Sequence, residues 1–156
     1  MKRTLLIASL FAVAVLVLPL TTAHAHDQQQ FSAGEPGDPK KPSRSVQVTM
    51  REVDGKMTYL PERIEVKRGE QIRFLLRNSG QLDHEFLLAT TIENVKHAEE
   101  MKKNPEMEHD EPNGKRVAPS KADQIGWRFS KPGQFEYGCL IPGHREAGMI
   151  GTIVVK

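Results

Sequence analysis

Tyr137–Gly151 reads Y-G-C-L-I-P-G-H-R-E-A-G-M-I-G. Within it Cys139, His144 and Met149 stand at even spacing, C-x4-H-x4-M, on a short loop between two apolar β-like runs. A thiolate, an imidazole and a thioether are soft-to-borderline donors that suit copper. Two histidines, one cysteine and a weak axial methionine together make an electron-transfer copper centre. The loop lacks one imidazole, so the rest of the chain must supply it.

Working outward, period-two alternation puts Phe135, Tyr137 and Cys139 on one strand face. Phe135 reads as core, so Cys139 enters the loop pointing inward. Pro142-Gly143 bends the loop back and brings His144 round, and Met149 arrives just before the last strand. The missing imidazole is read as His84, 55 residues before Cys139 on a β-like stretch flanked by apolar residues. His97 and His109 compete for the role but lie in polar, acidic surroundings.

The remaining chain alternates short β-like runs with turn signals. Val46, Val48 and Met50 alternate with polar residues, and Asp54-Gly55 signals a hairpin before Lys56–Leu60. Ile64 and Val66, then Ile72, Phe74 and Leu76, repeat the alternation around Arg68-Gly69-Glu70. Leu82–Ala89 carries His84. Gln124–Phe129 and Gln134–Cys139 flank Lys131-Pro132-Gly133, Trp127 and Phe129 read as core, and Ile150–Val155 closes the chain. Ile92–Lys103 is the one helical stretch, with Ile92, Val95, Ala98 and Met101 as its apolar face and Thr91 as a candidate cap. Asn104-Pro105 ends it. Residues 104–123 read as a long surface loop. Seven to eight short strands with a helical insertion predict an all-β sandwich.

At the other end, Lys2-Arg3, an apolar run Leu5–Leu20 and Ala23-His24-Ala25 read as a signal peptide, residues 1–25. The expectation is export to the periplasm, with no membrane span after cleavage. Cleavage removes two basic residues and no acidic one, leaving 20 of each sign. A formally neutral chain has no basic stripe for nucleic acid. Residues 26–43, rich in Gln, Gly and Pro, read as a flexible lead-in to a domain over 44–156. The chain has one cysteine, so no internal disulfide forms. A lone thiol outside the cytosol is paired between chains, reactive, or held by a ligand, and a metal resolves the oddity.

The chain resembles the cupredoxins, the type-1 blue or green copper proteins. E-Y-G-C-L-I-P-G-H-R-E-A-G-M-I-G-T-I-V-V-K at 136–156 is similar to the copper loop and final strand of the rusticyanin branch. P-E-R-I-E-V-K-R-G-E-Q-I-R-F at 61–74 is similar to the family's entry strands. The resemblance implies a Greek-key β-sandwich holding one mononuclear type-1 copper ion. His84, Cys139 and His144 would be its equatorial ligands and Met149 its axial one. It also implies an electron port where the edge of His144 reaches an apolar patch of Pro142, Ala147 and Gly148. Backbone N–H groups of Glu85, Ile141 or His144 are the expected donors to the thiolate. Asp83 and Glu85 depart from the family pattern beside His84, and a carboxylate there favours Cu(II).

The insertion over about 91–123 carries H-A-E-E-M-K-K-N-P-E-M-E-H-D-E-P at 97–112, and with it the whole chain resembles the periplasmic cupredoxins of bacterial copper tolerance. An accessory copper site from His97, Met101, Met107 and His109 is a further expectation, set against Met101 as core packing. His26 at the mature N-terminus is a weaker candidate. The expected function is a monomeric, non-enzymatic copper-binding redox protein serving copper tolerance. The alternative is a dedicated electron shuttle with a partner such as a c-type cytochrome. A multicopper oxidase needs more copper ions and more histidines than the five left after cleavage.

Overall fold

The computed structural model describes residues 30–104 and 111–156. The expected signal peptide, His26, Met107 and His109 lie outside the described residues. In chain order the elements are β1 (Glu35–Pro36), β2 (Arg44–Val53), β3 (Lys56–Leu60), β4 (Arg63–Val66), β5 (Gln71–Asn78), β6 (His84–Ala89), α1 (Thr91–Lys103), β7 (Gly114–Val117), β8 (Ala122–Arg128), β9 (Gly133–Gly138) and β10 (Ile150–Val155). They form two five-stranded sheets, ordered β1-β8-β5-β2-β3 and β4-β10-β9-β6-β7. Pairing is antiparallel except for β2 with β5 and β4 with β10, which run parallel. This is the expected all-β sandwich with one helical insertion. Among the described residues no helix is long and apolar enough to cross a membrane.

Alternation builds the core. In β5 the inward positions Ile72, Phe74 and Leu76 are buried while Arg73, Leu75 and Arg77 face out. Trp127, Tyr59, Tyr137, Phe74, Phe86 and Phe129 fill the space between the sheets. Tyr137 stacks on Phe86 with ring centroids 5.1 Å apart and meets Tyr59 edge-on at 5.0 Å. Strand β6 is buried along its whole length. Phe86 and Leu88 face the sandwich core, while Leu87 packs outward with Ala98 and Met101 of α1 and with Leu140.

Three expectations need correction. The lead-in is not free of the core from residue 31 on. Phe31 packs edge-on to Trp127 at 5.2 Å, Ala33 is fully buried, and β1 pairs with β8. The Trp127 indole N–H donates to the Ala33 carbonyl at 3.2 Å, which recruits a polar segment that has little apolar content of its own.

The helix also buries a different face. Ile92 is 82% exposed and Val95 47%, whereas Asn94, Ala98 and Met101 are buried. Asn94 earns its place by polar pairing, donating to the Glu136 carboxylate at 3.1 Å. The cap is Thr90 rather than Thr91, in a reciprocal capping box with Glu93. Finally, the expected 104–123 loop contains β7. Gly-Lys-Arg-Val has no apolar alternation, and its strand state comes from pairing with β6, Leu87 to Gly114 through His84 to Val117.

Candidate metal centre

Three neighbouring strands, β6, β9 and β10, bring the four predicted residues to one end of the sandwich. His84 opens β6, Cys139 follows the last residue of β9, and Met149 precedes the first residue of β10. The β6–β9 register pairs Leu87 with Gly138, so Cys139 leaves its strand beside the start of β6.

The connecting loop is pinned by its own backbone. His144 N–H donates to the Ile141 carbonyl at 3.0 Å, Met149 N–H to the His144 carbonyl at 3.1 Å, and Cys139 N–H to the Met149 carbonyl at 3.2 Å. Gly143 has φ of 89°, a left-handed conformation that few side chains tolerate, which makes the turn expected at Pro142-Gly143.

The donor atoms converge. Cys139 Sγ lies 3.3 Å from His144 Nδ1, and His84 Nδ1 lies 3.3 Å from the same nitrogen. One ligand atom from each of His84, Cys139 and His144 falls within 4.8 Å of the others. Metal bonds of about 2.0–2.3 Å to nitrogen and sulfur in tetrahedral sites separate neighbouring donors by about 3.3–3.8 Å, so the spacing suits one ion. His84, Cys139 and Met149 are fully buried, and His144 is 8% exposed.

The electrostatics favour a metal over protons on the rings. Burial lowers the His84 pKa against the pull of Glu52, and burial together with His84 lowers that of His144. Both imidazoles are therefore neutral near pH 7, with lone pairs free for a cation. Burial pushes the Cys139 thiol up to about 12, opposed by the backbone N–H of Glu85. That N–H donates to Sγ at 3.3 Å, and Ile141 contributes a second backbone donor. A metal taking the sulfur must displace the proton, which couples binding to proton release. Of the expected thiolate donors, Glu85 and Ile141 are in place, whereas the His144 N–H is spent on Ile141.

Of the four accessory candidates, His97 and Met101 fall among the described residues, both on α1. Met101 is fully buried with Leu87, Ala98 and Leu140, as the packing alternative required. His97 lies on the same helix, but no second group of three His, Cys, Asp or Glu side chains converges among the described residues.

Several contacts around the site carry no motif. The Glu52 carboxylate meets His84 Nε2 at 2.9 Å. Asp83, expected to bear on the site, pairs with Arg116 at 3.1 Å and still acts through its charge on both imidazoles. Tyr59 donates its hydroxyl to the Glu85 carbonyl and braces the residue whose N–H holds the sulfur. Arg145, next to His144, forms a two-pronged ion pair with Glu136 of β9. The first three join residues 26–33 positions apart, and the signal for them is register rather than spacing.

Comparison with known proteins bears on this geometry. Residues 46–156 match the family model described as copper binding proteins, plastocyanin/azurin family. The copper-resistant cuproprotein CopI of Rubrivivax gelatinosus is 46% identical over 134 residues, covering 86% of this chain and 79% of that protein. The copper-resistant cuproprotein CopI of Pseudomonas aeruginosa is 33% identical, covering 99% of this chain and 98% of that protein. Dithionite-reduced auracyanin from the photosynthetic bacterium Roseiflexus castenholzii superposes with a TM-score of 0.60 at 17% identity, over 74% of this chain and 99% of that one, a likeness of fold alone.

Proposed function

Since the chain belongs to the plastocyanin/azurin family of copper-binding proteins, we propose that it holds one copper ion on His84, Cys139, His144 and Met149, exchanges single electrons there, and serves copper tolerance in the periplasm. The observation that carries the reading is the buried convergence of two inward Nδ1 atoms on one thiol. The tolerance role is supported by relatives named copper-resistant cuproproteins, one of them 46% identical.

When bound, copper supplies one-electron Cu(II)/Cu(I) chemistry, and the protein's own residues prepare for it. Cys139 offers a strongly donating sulfur tempered by the Glu85 N–H. The fixed loop and strand ends hold the imidazoles where both oxidation states are accommodated, so little rearranges on electron transfer. Full burial of His84, Cys139 and Met149 excludes water. His144 alone of the four has any exposure, and the loop residues Pro142, Gly143 and Gly148 beside it are exposed. An electron partner docks at that ring edge. The role is read as that of a carrier or store, a reading supported by relatives named as cuproproteins.

The test is genetic. A deletion strain should become copper-sensitive, with rescue by the wild-type gene and none by Cys139→Ser. Normal copper tolerance with slowed respiratory electron transfer would overturn the tolerance role in favour of a shuttle.

A further inference from the structure

We propose that Glu52 is the positioning residue for copper ligand His84, and that its carboxylate biases the site toward Cu(II). This rests on the reading of His84 as a ligand.

Glu52 stands next to last in β2, 32 residues before His84, in the other sheet. Both carboxylate oxygens are committed. Oε2 accepts the Gln81 backbone N–H at 2.9 Å. Oε1 accepts the Leu82 N–H at 3.0 Å and faces His84 Nε2 at 2.9 Å. The carboxylate thus ties down the segment leading into His84 and grips the ring itself. Gly80 leaves the space for it, since a Cβ there would fall 2.3 and 2.6 Å from the two oxygens. The His84 side chain is fully buried and the Glu52 side chain 25% exposed, so the contact is a hydrogen bond from a neutral ring to a partly screened carboxylate.

Two consequences follow from the chemistry. A carboxylate accepts hydrogen bonds only, so His84 carries its proton on Nε2 and presents the Nδ1 lone pair. Nδ1 is the nitrogen that faces His144 and Cys139. A carboxylate bonded to the far nitrogen also raises the ligand's basicity and lends negative charge to the ring, which stabilises the more highly charged ion.

The experiment compares copper-loaded wild type with Glu52→Gln. The amide keeps the shape and one acceptor but loses the charge. Loss of such an outer partner costs about 10–100-fold in metal affinity. A tenfold loss borne by Cu(II) alone raises the reduction potential by about 59 mV. The expected result is that rise, with the thiolate-to-copper absorption intact. Nitrogen NMR of the apo-protein should show His84 as a single Nε2–H tautomer in wild type and a mixture in the variant, a change that simple destabilisation does not produce. An unmoved potential together with an unmoved tautomer overturns the inference. If Glu52→Gln fails to fold, Gly80→Ala displaces the carboxylate without removing it and is read by the same two signals. Absence of the absorption band in wild type would instead sink the ligand reading, so the two failures are distinct.

Discussion

Arg145→Ala should destabilise the protein far more than the loss of one surface charge. The guanidinium spans both oxygens of Glu136, with Nη2 to Oε2 at 3.1 Å, and the side chains are 15% and 6% exposed. The pair ties the middle of the ligand loop back to β9, because Arg145 adjoins His144 and Glu136 lies in the strand three residues before Cys139. Truncating the arginine strands a buried carboxylate, a change that costs about 3–5 kcal/mol. Asn94 still donates to Glu136 at 3.1 Å, which places the loss near the lower end, about 3 kcal/mol. For a domain of this size that is a fall in Tm of roughly 10 °C. Urea unfolding of the apo-protein, followed by the single buried Trp127, reads it directly. Glu136→Gln on top of Arg145→Ala should restore part of the loss, since the stranded charge disappears. A loss below about 1 kcal/mol, the scale of an exposed ion pair, would refute the reasoning.

Three other predictions follow from the same structure. Met101→Ala should cost about 2–5 kcal/mol through the cavity it leaves among Leu87, Ala98 and Leu140, with copper stoichiometry unchanged by metal analysis. Met149→Leu should cost less than about 1.5 kcal/mol and keep the coloured copper centre while raising its potential, since an axial thioether is a weak ligand. Glu70 is held below its ordinary 4.5 chiefly by the hydrogen bond from Arg44, against a smaller effect of burial. A carboxyl depressed in the folded state stabilises it above 4.5 and loses that contribution as pH falls through the lowered value. Glu70→Gln should therefore lower the neutral plateau of a Tm-against-pH curve slightly, flatten its acid limb, and converge with wild type at low pH.

The loop was legible because its chemistry is local. Cys139, His144 and Met149 lie within eleven consecutive residues, and the donors alone name the metal class. His84 was legible because it interrupts an apolar β-like stretch. The sandwich followed from alternation in β2, β5 and β8. The helix face misled, because a single helix on the outer face of a sheet, over β6 and β9, buries little. One alanine, one methionine and a paired asparagine suffice, while Ile92 and Val95 stay in solvent. Strands β1 and β7 were hidden for a related reason, since each is polar and takes its conformation from a partner strand. Glu52 reaches His84 only once β2 is laid against β5 and the β5–β6 turn folds under it. Nothing in the spacing of either residue announces that contact, and the carboxylates adjacent in sequence, Asp83 and Glu85, drew attention away from it.

The most direct test of the account is a copper titration of the purified apo-protein, following visible absorption and bound metal together for wild type and Cys139→Ser. Wild type should develop an intense thiolate-to-copper band that saturates at one equivalent, and the variant should lack it. A wild type that binds no copper, or binds it without the band, would return Cys139 to the role of a buried thiol and contradict the assignment of the site.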